Sequence, residues 1–295
     1  MSNKLSRIVA GVWVLGLSTF AAETNQPLSH APQDPVAWAM ATYAGEGKVE
    51  GVSAAKASMI ETDVGAYLPL VERPAYTLAA GLAGSWNRIR FRDLDPALGV
   101  EDEDLYVTAL PIDLLVTAWK DWSVWANVTP GAFTDYRRLT GDDFRVLFHS
   151  MAMYRPSQAV TLALGVSYDR EFGDDRVFPI GGVVWNVSRE FQINMMLPSP
   201  RLTYAPTTGL AFFADARPAG NKWNLGRSED EEGDFKLETW RIGMGVEARL
   251  ARHVWLHVAG GVDVARTYTI VENGRTILDA DVSDSFFARS GLLVR

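Results

Sequence analysis

Apolar residues recur at every second position in many segments between Tyr76 and Val294. Only an extended strand has this period, so the pattern predicts a β-sheet protein. In one run the apolar positions are Trp240, Ile242, Met244, Val246, Ala248 and Leu250, and the positions between them hold Arg241, Gly243, Gly245, Glu247 and Arg249. A barrel with lipid outside and water inside favours this division. The pattern therefore predicts an all-β fold, a closed antiparallel transmembrane β-barrel.

The alternating segments from Ala75 onward predict a barrel of about twelve strands, within a range of about ten to about fourteen. Short connections are expected at residues 120–121, 155–158, 188–190 and 251–253, and long ones at residues 93–104, 137–143, 171–176, 219–234 and 271–284. Tight turns are typical of the periplasmic side of an outer-membrane barrel. Residues 22–50 contain three prolines and no sustained alternation, which predicts an irregular periplasmic segment. The barrel is assigned to residues 51–295, in which residues 51–72 form either a first strand or a segment at the barrel mouth.

The first residues predict export. Lys4 and Arg7 precede a short apolar core, and Thr19 and Ala21 are small residues at the positions that signal peptidase reads, so residues 1–21 are predicted to be a cleaved signal peptide. No later run of eighteen apolar residues predicts a helical span. The chain has no cysteine, and its formal net charge of −8 argues against nucleic acid as a partner. We therefore expect the cell outer membrane as the location, with outer-membrane lipid, lipopolysaccharide and the assembly machinery as partners and the oligomeric state open.

Charged side chains on the inward face are candidates for lining the lumen, either as a salt-bridged network that closes it or as a filter. These candidates are Asp113, Arg145, His149, Asp169, Asp215, Arg217, Arg241, Glu247, Arg249, Asp263 and Arg289. Tryptophans near the strand ends predict two aromatic girdles. Trp119, Trp122 and Trp255 flank short turns, and Trp86, Trp223 and Trp240 lie nearer the long loops.

The middle of the chain carries a distinctive order of prolines and glycines. A strand opens on Pro179 and Gly181, a tight turn follows near Ser188, and the next strand ends in Pro198 and Pro200 before Tyr204. This order resembles a family of bacterial outer-membrane β-barrels still described as a domain of unknown function, and residues 67–70 and 77–82 are similar to its opening. The resemblance covers most of residues 50–295. It implies the barrel fold and the outer-membrane location, and it brings no activity or cofactor.

The chemistry of the sequence favours no enzyme. His149 and Ser150 could suggest a hydrolase, but adjacent strand residues point to opposite faces and cannot share a proton. Runs of acids near Glu101, Asp174 and Glu229 lack the spacing of a calcium loop, so no metal site, cofactor site or catalytic residue is assigned. We expect a passive, porin-like diffusion channel or a structural surface protein. The alternatives are an outer-membrane hydrolase acting on lipid or peptide, and a soluble periplasmic barrel that binds a ligand.

Overall fold

A computed structural model describes residues 29–52, 54–94, 100, 102–117, 119–228 and 231–295. These residues form 17 strands and one 3-10 helix, Gly141–Asp143. Among them, no helix is long and apolar enough to cross a bilayer. The strands are β1 Ala37–Lys48, β2 Lys56–Glu72, β3 Tyr76–Arg92, β4 Glu103–Ala109, β5 Ile112–Val116, β6 Trp122–Thr134, β7 Phe144–Tyr154, β8 Val160–Asp169, β9 Arg176–Asn186, β10 Phe191–Asn194, β11 Arg201–Thr207, β12 Leu210–Pro218, β13 Asn221–Ser228, β14 Glu231–Arg249, β15 Val254–Glu272, β16 Arg275–Val282 and β17 Ser285–Val294.

The strands close into a barrel because β1 pairs antiparallel with both β2 and β17. Strands β4 and β5 are two halves of one crossing, interrupted at Leu110 and Pro111, and both pair with β3 and β6. Strands β13 and β16 are not part of the ring and pair with the start of β14 and the end of β15. The described residues therefore build a closed antiparallel barrel of 14 crossings. The predicted all-β barrel is confirmed, and its strand number lies at the upper limit of the expected range.

The two crossings beyond the predicted twelve are β1 and β2, which precede Ala75. The expectation of an irregular segment over residues 22–50 is wrong for Ala37–Lys48. Met40, Thr42 and Ala44 face inward in β1 and Tyr43 faces outward, but small residues at most other positions give the alternation little contrast. Strand β2 settles the open alternative for residues 51–72 in favour of a strand. The predicted signal peptide, residues 1–21, lies outside the described residues.

The outer surface of the barrel carries large apolar side chains on nearly every crossing. Phe286 is 80% exposed, and Leu164 is 72% exposed. Others on this surface are Tyr43, Leu68, Leu82, Leu114, Val146, Trp185, Phe212, Ile242 and Met244. The alternation thus directs apolar residues out and charged residues in, as the run from Trp240 to Leu250 predicts.

The two ends of the barrel differ. At one end, called here the short-turn end, the strands are joined by tight connections such as residues 73–75 and 250–253. At the other, the long-loop end, two of the predicted loops are hairpins instead. Residues 219–234 mostly form β13 and the start of β14, and residues 271–284 contain β16. These hairpins form because both arms alternate apolar and polar residues and pair in register.

The two hairpins fold inward and close the long-loop end. Asn224 of β13 pairs with Thr134 of β6 on the opposite wall. Side chains of β13 to β16 pack there against β3, β4, β6 and β7, forming a buried apolar cluster called here the outer plug. Its members are Trp223, Leu225, Phe235, Leu237, Tyr268, Ile270, Leu278, Ala280 and Val282, packed on Ile89, Leu105, Phe133, Leu147 and Phe287. The outer plug corrects part of the girdle prediction, since Trp223 is buried in it and Trp255 is buried inside the barrel, whereas Trp119 and Trp122 are exposed.

Candidate functional site

A cavity of ≈ 220 Å³ lies inside the barrel beneath the outer plug. Its upper wall is apolar, with Phe133, Leu147, Trp223 and Leu237. Its other walls carry charged and polar side chains from β2, β3, β11, β12, β14, β15 and β17, because the inward positions of those strands alternate with the apolar outer positions. The lumen is therefore a closed-topped, charged cavity.

The structure places all the predicted lumen residues on the inward faces of their strands, but it brings only some of them together. Six line the cavity: Asp169, Asp215, Arg217, Arg241, Glu247 and Arg289. Asp263 is buried beside Arg241, whereas Asp113, Arg145 and His149 lie outside the cavity. Arg249 is exposed at the short-turn end, where its backbone N–H donates to the carbonyl of Gly209 at 2.8 Å.

Arg241 is the centre of the upper ionic cluster. Its Nε and Nη2 donate to the two carboxylate oxygens of Asp263 at 2.8 and 3.1 Å, and its Nη1 donates to Glu61 Oε2 at 2.9 Å. The guanidinium also lies 5.0 Å from the ring centroid of Phe287. Because Arg241 and Asp263 are each 1% exposed, this bidentate pair is shielded from water and its geometry is fixed by three acceptor atoms.

Glu247 is the centre of the lower ionic cluster, nearer the short-turn end. Arg201 and Arg295 donate to its two oxygens at 2.9 and 2.8 Å, and His257 Nδ1 lies 3.0 Å from Oε1. Arg201 also stacks over the ring of Phe213, with 4.0 Å to the centroid. A single carboxylate thus holds three basic side chains from three different strands or strand ends.

The segment before β1 runs across the short-turn end. The backbone N–H of His30 donates to the carbonyl of Arg189 at 2.5 Å, and Asp34 and Pro35 line the cavity. Burial raises the pKa of Asp34 to about 8, although the charges of Arg295 and Arg201 act in the opposite direction. This segment therefore brings a carboxyl group that stays protonated near neutral pH into the lower cavity.

His149 lies in a polar row outside the cavity. Ser167, its direct cross-strand partner, has its Oγ 2.8 Å from His149 Nδ1, and Asp169 Oδ2 lies 3.2 Å from Nε2. Trp125 stacks beside the imidazole and donates to Asp113 at 2.9 Å. The row has the residue types of a hydrolytic triad, but Ser167 is 1% exposed and does not line the cavity. Ser150 lies on the opposite face from His149, as the sequence predicts.

Two acids of the loop between β8 and β9, Asp174 and Asp175, are paired with cations. Arg170 Nε and Nη2 donate to Asp175 at 2.8 and 3.0 Å, and Lys236 Nζ donates to Asp174 at 2.7 Å. Arg145, a predicted lumen residue, lies 3.9 Å from Asp175. Within the described residues no cluster of three or more histidines and acids has a geometry suited to a metal ion.

Sequence reasoning missed six charged cavity residues: Asp34, Glu61, Asp63, Arg201, His257 and Arg295. Glu61 and Asp63 follow Ala57 and Met59 on the inward face of β2. The period-two rule would have identified them if residues 51–72 had been assigned to a strand from the sequence. Arg201 follows the prolines at 198 and 200, which mask the start of β11. Asp34 and Arg295 lie outside any strand, where alternation gives no signal.

Residues 41–288 match the model of a protein family described as a domain of unknown function, DUF6268. The chain belongs to this family. The sequence resemblance to a family of that description is thereby confirmed, and the match extends from β1 to β17. A search of curated protein sequences finds no match.

Several solved structures have a similar chain course and are described as a channel, a transporter or a porin. An outer-membrane channel from Pseudomonas putida F1 aligns with a TM-score of 0.46 and 9% identity, over 92% of this chain and 100% of the other. The Pseudomonas putida toluene transporter TodX aligns with a TM-score of 0.36 and 12% identity, over 90% of this chain and 91% of the other. The NanC porin aligns with a TM-score of 0.32 and 7% identity, over 88% of this chain and 99% of the other.

Proposed function

We propose that this protein is an outer-membrane β-barrel channel that is closed, in the conformation described, by its outer plug. The observation that carries the proposal is the apolar outer surface of a closed barrel whose inward positions are charged. Hydrogen-bonded pairing between neighbouring strands continues all round the ring, and a lipid environment requires such closure. An outer surface with residues such as Leu164, Met244 and Phe286 would be an aggregation hazard in water, whereas in a bilayer it is solvated.

The same observation argues against a soluble periplasmic barrel. Membrane fractionation and heat-modifiable gel mobility test the location. We expect the full-length protein in the outer-membrane fraction, migrating faster before boiling than after it. Recovery of the folded protein in the soluble periplasm would overturn the membrane assignment.

Conduction would use the lumen between the short-turn end and the outer plug. The charged walls would give this path a filter of mixed sign, because Arg201, Arg241 and Arg289 each form an ion pair with an acid of the cavity wall. The outer plug stands between this path and the long-loop end. Flux therefore requires the hairpins of β13–β14 and β15–β16 to separate from the opposite wall.

Planar-bilayer recording tests the channel directly. We compare the wild type with a plug variant, Trp223→Ala combined with Leu237→Ala, and with a surface control, Leu68→Ala combined with Met244→Ala. Removing plug side chains leaves voids and weakens the closure, so the plug variant should conduct more often than the wild type and the control should not. Absence of current from all three folded proteins would refute the channel and leave a structural surface protein as the remaining hypothesis.

The row of Ser167, His149 and Asp169 favours a second candidate, an outer-membrane hydrolase. A Ser Oγ within hydrogen-bond distance of an imidazole whose other nitrogen meets a carboxylate is the arrangement that activates a nucleophile. Hydrolysis of p-nitrophenyl esters and phospholipids by the wild type, Ser167→Ala and the outward control Ser150→Ala tests this candidate. Activity lost only in Ser167→Ala would support the hydrolase. Equal background rates in all three would exclude these residues as a catalytic site.

A further inference from the structure

The cavity contains one arginine without a partner. Arg201, Arg241, Arg289 and Arg295 each donate to a carboxylate in the cavity wall, at distances between 2.8 and 3.3 Å. Arg217 also lines the cavity, but among the described residues no hydrogen bond, ion pair or ring contact engages its guanidinium. A guanidinium carries five N–H donors in a rigid fork and cannot lose its charge. Arg217 therefore presents an unmatched anion-binding group to the cavity.

The neighbours of Arg217 do not neutralise it. Arg241 lies directly opposite in the pairing of β12 with β14, and Asp263 and Glu61 already hold that side chain. Asp215, two residues before Arg217 on the same face, interacts electrostatically with Arg201, His257 and Arg289. The nearest acid in sequence is thus shared among other cations, and two arginines are direct cross-strand neighbours. A bound anion would relieve their repulsion.

Part of the cavity that Arg217 lines is apolar. Pro218 follows Arg217, and the cavity wall above includes Trp223, Phe133 and Leu147 of the outer plug. The cavity volume of ≈ 220 Å³ exceeds that of an engineered cavity of about 150 Å³ that holds benzene. A molecule with one aromatic ring and a small charged group fits this space. Acids elsewhere in the wall, including Glu61 and Asp63, disfavour a ligand with two negative charges.

We propose that the cavity binds a small aromatic monocarboxylate, with its carboxylate on the Arg217 guanidinium and its ring beneath the outer plug. The carboxylate matches the fork in a bidentate arrangement, and the ring buries apolar surface against the plug. This inference rests on the proposed channel function, because it names the class of solute that the channel would select.

Isothermal titration of the folded full-length protein in detergent, with benzoate as the probe, tests the site. Benzyl alcohol supplies the ring without the charge, acetate supplies the charge without the ring, and titration into empty micelles corrects for partitioning. The wild type should bind benzoate more tightly than either. Arg217→Gln should weaken benzoate binding by about tenfold to a hundredfold, the range for a hydrogen bond to a charged group, and leave benzyl alcohol binding unchanged. The benzoate affinity of Arg217→Lys should lie between those of the wild type and Arg217→Gln.

The control variant is Arg252→Gln, which removes an exposed arginine from a turn at the short-turn end. Heat-modifiable mobility confirms that each variant is folded. Equal benzoate affinity in Arg217→Gln and the wild type would overturn the site, as would wild-type binding of benzoate no tighter than that of acetate. Conductance without benzoate binding would refute the site and retain the channel. Benzoate binding that depends on Arg217, without conductance from any variant, would retain the site and refute the channel.

Discussion

Arg241 and Asp263 face each other across β14 and β15 and form a two-point ion pair inside the barrel. Glu61 completes the cluster from β2, so the pair joins strands from the beginning and the end of the chain. Both partners of the pair are 1% exposed. The contribution of the pair to the stability of the barrel therefore depends on the cost of desolvating both charges as much as on their attraction. Removing one partner leaves the other charge buried and uncompensated.

Replacement of Arg241 by Gln should destabilise the barrel by about 3–5 kcal/mol, because Asp263 and Glu61 lose their shared cation. Combining Arg241→Met with Asp263→Leu and Glu61→Gln should recover most of this loss, since none of the three charges of the cluster then remains. Urea unfolding in lipid vesicles measures both. The exposed pair of Arg176 and Glu238 supplies the control, Glu238→Gln, which should change stability by less than about 1 kcal/mol. A loss in Arg241→Gln no larger than in the control would contradict this account.

The period-two pattern predicts the strands of the barrel wall from Tyr76 onward. It does so because the outward residues of a strand lie in apolar surroundings and the inward residues lie in polar ones. It failed at β1, where Ala37, Ala39 and Ala41 are too small to mark a face. It also failed to distinguish a polar loop from an inward-folded hairpin at β13 and β16. Trp223 and Leu237 alternate as lipid-facing residues would, and only tertiary packing shows that they are buried in one cluster with Phe133 and Leu147 of the opposite wall.

The ionic clusters show a second limit. Alternation placed Glu247 and Arg241 on the inward face, but it gave no information on which charges meet. Glu247 joins Arg201 from β11, His257 from β15 and the terminal Arg295, which are separated from it by up to 48 residues. These contacts depend on strand order and stagger around the barrel. A single sequence therefore predicted the inward face and left its partners undetermined.

Glycines 243 and 245 make room for two aromatic rings within the lumen. A Cβ at position 243 would lie 2.6 Å from Phe287 Cζ, and one at position 245 would lie 2.5 Å from Phe213 Cζ. Gly243→Ala should therefore destabilise the barrel by about 1–3 kcal/mol through overpacking. Gly141→Ala is the control, because nothing lies within 4 Å of the added atom. Thermal unfolding measures both, and Phe287→Leu in the Gly243→Ala background should restore part of the loss. No recovery would place the strain elsewhere.

Arg170 forms an ion pair with Asp175 in the loop between β8 and β9, and it also contacts residues at the outer plug. Arg170 also donates to the carbonyl of Lys222 in β13 at 3.0 Å and lies over the ring of Phe133. Burial raises the pKa of Asp175, but the hydrogen bond and charge of Arg170 outweigh it and leave the pKa below its ordinary value. The stabilisation is therefore present above the unfolded-state pKa of about 3.9 and is lost as pH falls through the lower folded-state pKa.

Acidification below about pH 4 should therefore loosen the plug and raise channel opening in bilayer recordings. Arg170→Gln should raise opening at neutral pH and remove most of this acid response, since the pair is already absent. Asp142→Asn, an exposed acid of the neighbouring loop, should behave as the wild type. An acid response of full size in Arg170→Gln would show that another group controls the plug.

Asp34 should make the barrel less stable as pH rises through neutrality. Burial raises its folded-state pKa to about 8, well above the value of about 3.9 in an unfolded chain. Folding is therefore favoured while the carboxyl is protonated in both states, and this advantage is lost progressively until pH passes about 8. Asp34→Asn keeps the neutral form at every pH, so its unfolding temperature should exceed that of the wild type increasingly between pH 5 and pH 9. Asp121→Asn, in an exposed turn at the same end, is the control and should track the wild type. Parallel curves for Asp34→Asn and the wild type would show that the Asp34 carboxyl is ionised in the folded barrel.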